Sequence, residues 1–387
     1  MEKICIFGAS GFVGRALVER LIGNNDYELV AVIRSPGNAW SIIRHGIPLV
    51  QADLGDVESV KKAVQDCSIV VNLALGAVDQ MAAQLQNLVN ACKQQGVKRL
   101  VHLSSITVYG DLPDPSSEYE SGPVRAVKGS YGWSKNKQDL IIKQANGSGL
   151  SSVVLCPPHV TGAYGRIFHQ VLDGILKGEF ALVDDGSYPC NLVDVCNLCQ
   201  AIEKSMQLSQ SDGERIFVTN GDTYTWKDLA IDASRVAGVG VADIPRISTA
   251  QVAAMQPKHL SMVVFLKSLA KQREIKQMLK QTFLVQNKTI LKCLQFVNRK
   301  LNNNKLKSVK AKKSGSGTLE QLNVSLCKQQ LRGVWHRIDK AKNTLGYEPT
   351  VSSGESFAKF ANYYETLYGY KSEYWDLIAS ARMVDSK

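Results

Sequence analysis

The fold is decided by the stretch Gly8-Ala9-Ser10-Gly11-Phe12-Val13-Gly14, which joins two segments of different periodicity. Residues 3–7 form a short apolar run typical of a buried strand, and residues 12–22 carry apolar side chains at helical spacing. A dinucleotide pyrophosphate needs a tight turn, a backbone it can approach without meeting Cβ atoms, and free N–H groups at a helix start. The glycine pattern supplies all three on the first strand, so it predicts cofactor binding rather than a plain turn.

Strand-like and helical segments keep alternating after this loop, which is typical of a parallel sheet with crossover helices. We expect strands over residues 28–33, 47–51, 68–73, 99–103, 152–156 and 215–219. We expect helices over residues 57–64, 81–95, 131–145, 167–176, 192–206 and 225–236, with a polar loop over 111–128.

The alternation predicts an α/β fold, a Rossmann-type doubly wound parallel sheet, with a smaller and mostly C-terminal substrate domain. We assign residues 1–240 to the dinucleotide-binding domain, with 163–187 contributing to the substrate lobe. Residues 241–387 are then the substrate or lid domain, which carries a basic helical insertion at 257–317.

The net charge of +11 over 387 residues is concentrated in one segment. Residues 257–313 hold fifteen Lys or Arg and one acid, a net of +14, so the rest of the chain carries −3. A solvated insertion, a contact with an anionic membrane surface, and an acidic protein or nucleic-acid partner all remain open for this segment. Apolar residues interleaved with its lysines favour an interface over a nucleic-acid arm, so we expect no nucleic acid.

The rest of the composition indicates a cytoplasmic protein. No apolar run reaches the roughly 18–20 residues that cross a bilayer, and the first residues do not resemble a signal peptide. The nine cysteines are too dilute for a disulfide scaffold, and many stand in apolar runs. Cys196-x-x-Cys199 has metal-like spacing without a second pair, so we expect core packing and no metal site.

The end of the second expected strand bears on the choice of cofactor. Arg34 stands where an acid would accept hydrogen bonds from the adenosine ribose, and a guanidinium pairs instead with a 2′-phosphate. We therefore expect NADP in preference to NAD, the alternative being a solvated arginine at a strand end. Asp53-Leu54 follows the third strand and is placed to meet the adenine ring.

The strongest chemical pattern joins a Ser-rich strand end to a Tyr–Lys pair. Ser104-Ser105-Ile106-Thr107 follows the fifth strand, and Tyr131-Gly132-Trp133-Ser134-Lys135 opens the next helix. A Tyr and a Lys four apart lie on one helix face, so the ammonium is expected to lower the phenol pKa and ready it for acid–base work. The alternative is a surface pair that occurs by chance.

At this point the chain resembles the extended short-chain dehydrogenases/reductases, also called the NAD-dependent epimerase/dehydratase family. The likeness covers about residues 1–240 and returns at 333–367. The matching stretches are residues 8–14, 53–54, 72–74, 103–110, 131–135 with Asp139, 155–162, 191–195 and 339–349.

The resemblance implies specific roles for several residues. In the family pattern Ser105 holds the substrate oxygen, Tyr131 moves the proton, and Lys135 orients the ribose. The cofactor would contact Gly8, Ser10, Gly11, Phe12, Val13, Gly14, Arg34, Asp53, Leu54, Leu73, Ala74, Lys135 and Pro157. Arg332 and Arg337 fall where the family often grips a diphosphate, and the alternative is a solvated basic stretch.

The chain departs from the family pattern where the substrate is chosen. Arg34-Ser35-Pro36 replaces the usual acidic loop of enzymes that act on UDP-sugars, and Cys156, His159 and Thr161 replace residues of the motif after the sixth strand. Ile106-Thr107 lacks the acidic pair of the 4,6-dehydratases, so we do not expect dehydration. His102 and His159 are expected to line or pack near the cofactor.

Together these features predict an NAD(P)-dependent epimerase or reductase that acts by hydride transfer at a secondary alcohol or ketone. The expected substrate is a sugar nucleotide. One alternative is an NADPH-dependent reductase of a hydrophobic, steroid-, flavonoid- or lipid-like ketone. The other is a non-catalytic NADP-binding regulatory protein, against which the intact Ser105, Tyr131 and Lys135 argue. A homodimer and peripheral membrane contact through 257–313 are further expectations.

Overall fold

The computed structural model of the protein describes residues 1–147, 149–208, 211–255 and 321–368. The basic insertion predicted at 257–317 lies outside these residues, and so do its expected helices and its membrane contact. Within the part that the structure describes, no helix is long and apolar enough to cross a bilayer.

The core of the fold is a seven-stranded sheet whose strands all run parallel. The described strands are β1 (Glu2–Phe7), β2 (Tyr27–Ile33), β3 (Leu49–Gln51), β4 (Ile69–Asn72), β5 (Arg99–Leu103), β6 (Ser151–Cys156), β7 (His159–Thr161), β8 (Leu182–Val183), β9 (Leu192–Asp194), β10 (Arg215–Phe217) and β11 (Arg246–Ile247). The sheet has the order β10-β6-β5-β4-β1-β2-β3, and β7 with β9 and β8 with β11 form two small parallel pairs.

The strand order places a topological switch between β1 and β4. The chain adds β2 and β3 on one side of β1 and then restarts with β4 on the other side. In a doubly wound sheet, ligands bind in the crevice outside the carboxyl ends of the strands at this switch. The predicted Rossmann-type sheet is confirmed, and the glycine loop after β1 lies at the switch point.

Helices cover both faces of the sheet, which is why its strands read as continuous apolar runs. The described helices are α1 (Phe12–Leu21), α2 (Val57–Val64), α3 (Met81–Gln94), α4 (Tyr131–Ala145), α5 (Arg166–Lys177), α6 (Val195–Met206), α7 (Trp226–Ala237), α8 (Thr249–Ala254), α9 (Val324–Gln330), α10 (Asp339–Leu345) and α11 (Ser353–Tyr368). One face packs against α2, α3 and α4, and the other packs against α1, α6 and α10.

A second apolar cluster lies beside the sheet. It joins α5 and α7 to α9 and α11, with Phe168 packing edge-on against Phe357 at 5.0 Å between ring centroids. The C-terminal helices contribute to both apolar clusters. Helix α10 packs in the cluster on the sheet, whereas α11 packs in the second cluster. The division of the chain at residue 240 stays a prediction.

The expected helix over residues 192–206 is wrong in its first three residues. Leu192–Asp194 form β9, which pairs with β7, and the helix begins only at Val195. Asp194 ends the strand and caps the helix, because its Oδ1 accepts a hydrogen bond from the Cys196 N–H at 2.9 Å. The apolar run Leu192-Val193 cannot distinguish a short buried strand from a helix start. The loop over 111–128 contains one 3₁₀ turn, Pro115–Glu118.

Candidate active site

The glycine loop is packed so closely that side chains would not fit. Gly8 has a φ of +78°, and a Cβ there would lie 2.8 Å from the carbonyl carbon of Leu73. A Cβ on Gly14 would lie 2.2 Å from the Gly8 carbonyl oxygen. The start of α1 therefore packs against the ends of β1 and β4 with no room for a Cβ atom. Only glycine can occupy positions 8 and 14 without moving the backbone.

The start of α1 is suited to an anion. Gly11 is its N-cap residue and offers no side-chain cap, and the first turn contains no acid. The first N–H groups of the helix therefore point out without an intrahelical partner, and the helix dipole favours negative charge there.

A cavity of about 270 Å³ opens in front of this helix start. Arg34 and Asp53 stand at its rim, and among the described residues the Arg34 guanidinium forms no ion pair. The Asp53 carboxylate is fixed because its Oδ1 accepts a hydrogen bond from the Gly55 N–H at 2.8 Å. The free N–H groups of the helix start and the Arg34 guanidinium are residue features that suit a dinucleotide. The cavity lining contains Gly8, Ser10, Gly11, Arg34, Asp53, Leu54, Leu73 and Ala74 from the predicted cofactor set.

A second cavity of about 200 Å³ adjoins the first, since Leu73 and Ala74 line both. It brings together Ser105 at the end of β5 and both Tyr131 and Lys135 on α4, as the sequence predicted, with Pro157 beside them. The predicted contacts Phe12, Val13 and Gly14 lie in the first turn of α1 and are not among the lining residues of either cavity.

Ser105 is held so that its hydroxyl hydrogen stays free. Its Oγ accepts hydrogen bonds from the Thr107 N–H at 3.3 Å and from the Thr107 hydroxyl at 3.1 Å. With both acceptor positions occupied, the remaining O–H can donate into the cavity. Thr107 was not among the predicted site residues.

Lys135 is 3% exposed and donates a hydrogen bond from Nζ to the Leu103 carbonyl oxygen at 2.7 Å. Burial lowers the pKa of its ammonium to about 8, while the nearby Asp139 carboxylate opposes that shift. The amine therefore changes charge close to physiological pH.

Tyr131 corrects one expectation. Its side chain is 36% exposed, and the Lys135 Nζ lies 5.9 Å from the ring centroid. The loss of water around the phenol nevertheless raises its pKa to about 12, with Cys156 and Asp139 adding to the rise. The predicted lowering of the phenol pKa by Lys135 is therefore wrong, because burial sets the direction of the shift and Lys135 is not among its causes.

A buried polar network lies behind the Tyr–Lys pair. Asp139 Oδ2 accepts hydrogen bonds from the Ser104 hydroxyl at 2.8 Å and from Arg215 Nε at 2.6 Å. Arg215 also donates to the side-chain oxygen of Asn136 at 2.6 Å. The network connects the end of β5, α4 and β10 directly behind Tyr131 and Lys135. It therefore holds α4, which carries both residues, in position against the sheet. Burial raises the pKa of Asp139, and Arg215 opposes that rise.

The two histidines expected near the cofactor are held neutral. Burial lowers the pKa of His102, whose Nδ1 lies 3.2 Å from the amide nitrogen of Asn72. Burial lowers the pKa of His159 to about 3, with Arg332 and Arg166 contributing. Arg332 contacts Asp111 at 3.2 Å, and Arg337 pairs with Asp339 at 2.7 Å.

The cysteines form no metal centre in the described residues. No group of three or more His, Cys, Asp or Glu there could hold an ion. All eight described cysteines are free, and seven are buried. Cys199 packs in the core as predicted, whereas Cys196 is exposed, because it stands on the outer side of the first turn of α6.

Comparisons with known proteins agree with this geometry. A family model described as NAD(P)H-binding matches residues 8–171. A ketoreductase of a farnesyl dihydroquinoline oxide from Stigmatella aurantiaca is 26% identical over 227 residues, which cover 56% of this chain and 67% of the relative. A decarboxylating sterol-4-alpha-carboxylate 3-dehydrogenase from Dictyostelium discoideum is 22% identical over 257 residues, 62% of this chain and 77% of the relative.

The solved structures that resemble this fold include a Bacillus cereus UDP-glucuronic acid 4-epimerase in complex with UDP-glucuronic acid and NAD. It has a TM-score of 0.61 at 17% identity and covers 95% of this chain and 100% of its own. A dTDP-glucose 4,6-dehydratase from Bacillus anthracis in complex with NAD has a TM-score of 0.64 at 16% identity, with 95% and 98% covered.

The family model, the relatives and the solved structures agree with the predicted resemblance to the extended short-chain dehydrogenases/reductases. The predicted fold and NAD(P) cofactor are confirmed, and so is the class of NAD(P)-dependent enzyme. Whether the protein prefers NADP, and what substrate it converts, stay predictions.

Sequence reasoning missed the residues that support the site from a distance. Arg215 stands 76 residues after Asp139 and carries no local pattern that points to it. Ser104 stands in the predicted motif only as the neighbour of Ser105, yet it is the serine that reaches the buried Asp139 carboxylate. For Thr107, the signal was its position two residues after Ser105, where a hydroxyl can return to the serine.

Proposed function

We propose that the protein is an NADPH-dependent reductase of hydrophobic ketones. One observation carries the proposal: the cavity beside Tyr131 is walled by apolar side chains. Apart from Ser104, Ser105, Tyr131 and Lys135, its lining consists of Leu73, Ala74, Leu75, Leu103, Pro157, Pro158 and Val160. A sugar ring needs many hydrogen-bond partners. This cavity instead offers apolar side chains around one cluster of polar groups, which contains Ser105, Tyr131 and Lys135.

Ser105, Tyr131 and Lys135 have separate roles at the ketone oxygen. Ser105 donates its free O–H to the ketone oxygen and holds it near the Tyr131 phenol. Tyr131 gives its proton to that oxygen, and Lys135, with a pKa of about 8, can hold or release a proton beside it. The bound cofactor supplies the hydride, and the apolar wall excludes water from the reacting carbon.

The raised pKa of Tyr131 suits reduction in this direction. A phenol with a pKa of about 12 keeps its proton at neutral pH and is available as the acid for a developing alkoxide. Lys135 counters the negative charge that appears on the phenol oxygen after transfer.

The curated relatives support a hydrophobic ketone. By their names they include a ketoreductase of a farnesyl-bearing ring, sterol dehydrogenases and a 2-alkyl-3-oxoalkanoate reductase from Shewanella oneidensis that is 29% identical over 252 residues, 57% of this chain and 62% of the relative. Arg34, exposed and without an ion pair in the described residues, supports the preference for NADPH through its 2′-phosphate.

A sugar-nucleotide epimerase is the second candidate, and Arg332 favours it. The Arg332 side chain is 14% exposed, and its Nε has no hydrogen-bond partner in the described residues. A diphosphate would satisfy such a buried donor. Against this, the cavity beside Tyr131 is walled by apolar side chains. The solved epimerases are similar to this chain at a level of identity that shows the fold alone.

The deciding experiment measures NADPH oxidation with a panel of 3-ketosteroids and 2-alkyl-3-oxoalkanoates, beside a UDP-glucose and UDP-glucuronic acid epimerisation assay. We expect stoichiometric NADPH consumption with a hydrophobic ketone. Epimerisation without net cofactor consumption, together with NAD retained through purification, would establish the second candidate instead.

The basic segment at 257–313 fits this proposal as a membrane contact that admits a poorly soluble substrate. Each lysine near an anionic surface contributes about 1 kcal/mol. Vesicle sedimentation with and without anionic lipid, at low and high salt, tests it. Protein that stays in the supernatant at low salt would refute the contact.

A further inference from the structure

A third cavity, of about 710 Å³, shares no lining residue with the two already described. It is bounded by the outer side of α1, the segment from Trp40 to Arg44, the turn from Gly162 to Tyr164, the start of α6, and Lys359 on α11. Its volume falls within the roughly 300–1,000 Å³ typical of small-molecule sites.

The charges around this cavity are unbalanced. Four cations line it, Arg15, Arg20, Arg44 and Lys359, against the two carboxylates of Glu19 and Asp194. Arg44 pairs with Glu19, and Arg20 pairs with Glu203 at 2.7 Å. Within the part of the chain that the structure describes, Arg15 and Lys359 form no ion pair within 4 Å. The cavity therefore offers the Arg15 and Lys359 cations to an anion, and Glu355 attracts Lys359 from the same helix.

The remaining carboxylate, Asp194, lines the cavity but is 1% exposed, and its Oδ1 accepts the hydrogen bond that caps α6. Its Oδ2 has no hydrogen-bond partner among the described residues and would accept a donor that reached it.

The rim carries aromatic rings that the fold does not bury. Trp40 is 73% exposed, and Tyr164 is 56% exposed. The Arg15 guanidinium lies over the Tyr164 ring at 5.5 Å from its centroid, and Phe12 meets the same ring edge-on at 6.4 Å. Exposed rings beside cations form a platform on which a planar ring can stack.

We propose that this cavity binds a nucleoside phosphate, with the base against Trp40 and the phosphate on Arg15 and Lys359. The combination of a stacking surface and cations fits a base and a phosphate in one molecule. The bounded volume fits a mononucleotide better than a polymer. Because the site shares no lining residue with the other two cavities, it is independent of the ketone-reductase proposal.

The test uses the full chain saturated with NADPH, so that the dinucleotide site is occupied. ADP and UDP are titrated while tryptophan fluorescence and isothermal heat are recorded. We expect one further equivalent of nucleotide to bind and to quench part of the fluorescence. Arg15→Gln should weaken this binding at least tenfold, and Trp40→Phe should remove the quenching component.

Two matched variants separate this site from the others. Arg34→Gln should weaken NADPH binding and leave the additional equivalent unchanged. Arg332→Gln, which tests the diphosphate position of a sugar-nucleotide substrate, should also leave it unchanged. A loss of the additional equivalent in either variant would place the nucleotide in a site already described and overturn the proposal.

Inorganic phosphate provides the last comparison. If phosphate alone binds as tightly as ADP and UDP, and Trp40→Ala has no effect on nucleotide binding, recognition of a ring is refuted. The absence of any additional equivalent with both nucleotides would refute the site itself. Failure of ketone reduction would bear on neither result.

Discussion

The cofactor side and the substrate side of this enzyme are built in different ways. The cofactor side contains three glycines spaced three residues apart at the junction of β1 and α1, where backbone packing dictates the residue type at Gly8 and Gly14. The substrate side is assembled from strand ends and α4, and its apolar wall comes from residues that are far apart in sequence. Local sequence therefore specifies the cofactor, whereas the substrate depends on long-range packing.

The largest expected effect is on the substrate side. Tyr131→Phe should lower kcat by about 10²–10⁴-fold and leave NADPH affinity nearly unchanged, because only the phenolic proton is removed. Steady-state kinetics and NADPH fluorescence titration measure the two quantities. A variant that kept more than about a tenth of the activity would show that Tyr131 does not carry the proton.

The polar network behind α4 should come next in size. Arg215→Met leaves the 5%-exposed Asp139 carboxylate without its cation, and removing one partner of a buried pair costs about 3–5 kcal/mol. Chemical denaturation should show this loss in the free energy of unfolding. The control Arg235→Met removes an exposed arginine that pairs with Asp232, so it should change stability by less than about 1 kcal/mol. Equal effects would mean that the network does not anchor the site.

The cofactor side should respond selectively to the loss of one cation. Arg34→Ala should weaken NADPH binding by about 1.5–3 kcal/mol, the contribution of a charge-assisted hydrogen bond, and leave NADH binding almost unchanged. Titration with both cofactors measures the difference. Equal losses for the two would show that Arg34 does not meet the 2′-phosphate.

A smaller effect should follow from the support of Ser105. Thr107→Val removes the hydroxyl that donates to Ser105 Oγ, and a neutral hydrogen bond contributes about 0.5–1.5 kcal/mol. We expect kcat/KM to fall by about 2–10-fold. We expect Ser105→Ala to lower kcat/KM further. The double variant should have the same kcat/KM as Ser105→Ala alone, because Thr107 acts through the serine. Additive losses would contradict that coupling.

The smallest effect should appear in the pH profile. Asp139 raises the pKa of Lys135 against the lowering caused by burial, so Asp139→Asn should lower that pKa below about 8. The alkaline limb of kcat/KM should therefore move to lower pH. The Lys135 ammonium is present below its pKa and lost above it, which fixes the sign of the shift. An unchanged limb would mean that Lys135 does not control it.

The sequence by itself determined the sheet and the glycine loop, and it predicted Ser105, Tyr131 and Lys135 as site residues, because each depends on short-range spacing. A strand, a glycine turn and a helix lie within twenty residues, and Tyr131 and Lys135 are one helical turn apart. Such patterns need no knowledge of distant contacts.

Tertiary structure alone decided how these residues behave. The pairing of Asp139 with Arg215, the support of Ser105 by Thr107, and the raised pKa of Tyr131 arise from atoms brought together across the fold. The split of residues 192–206 into strand and helix depended likewise on the pairing of β9 with β7. Burial and long-range pairing set pKa values and strand identity, and neither is encoded in the spacing of neighbouring residues.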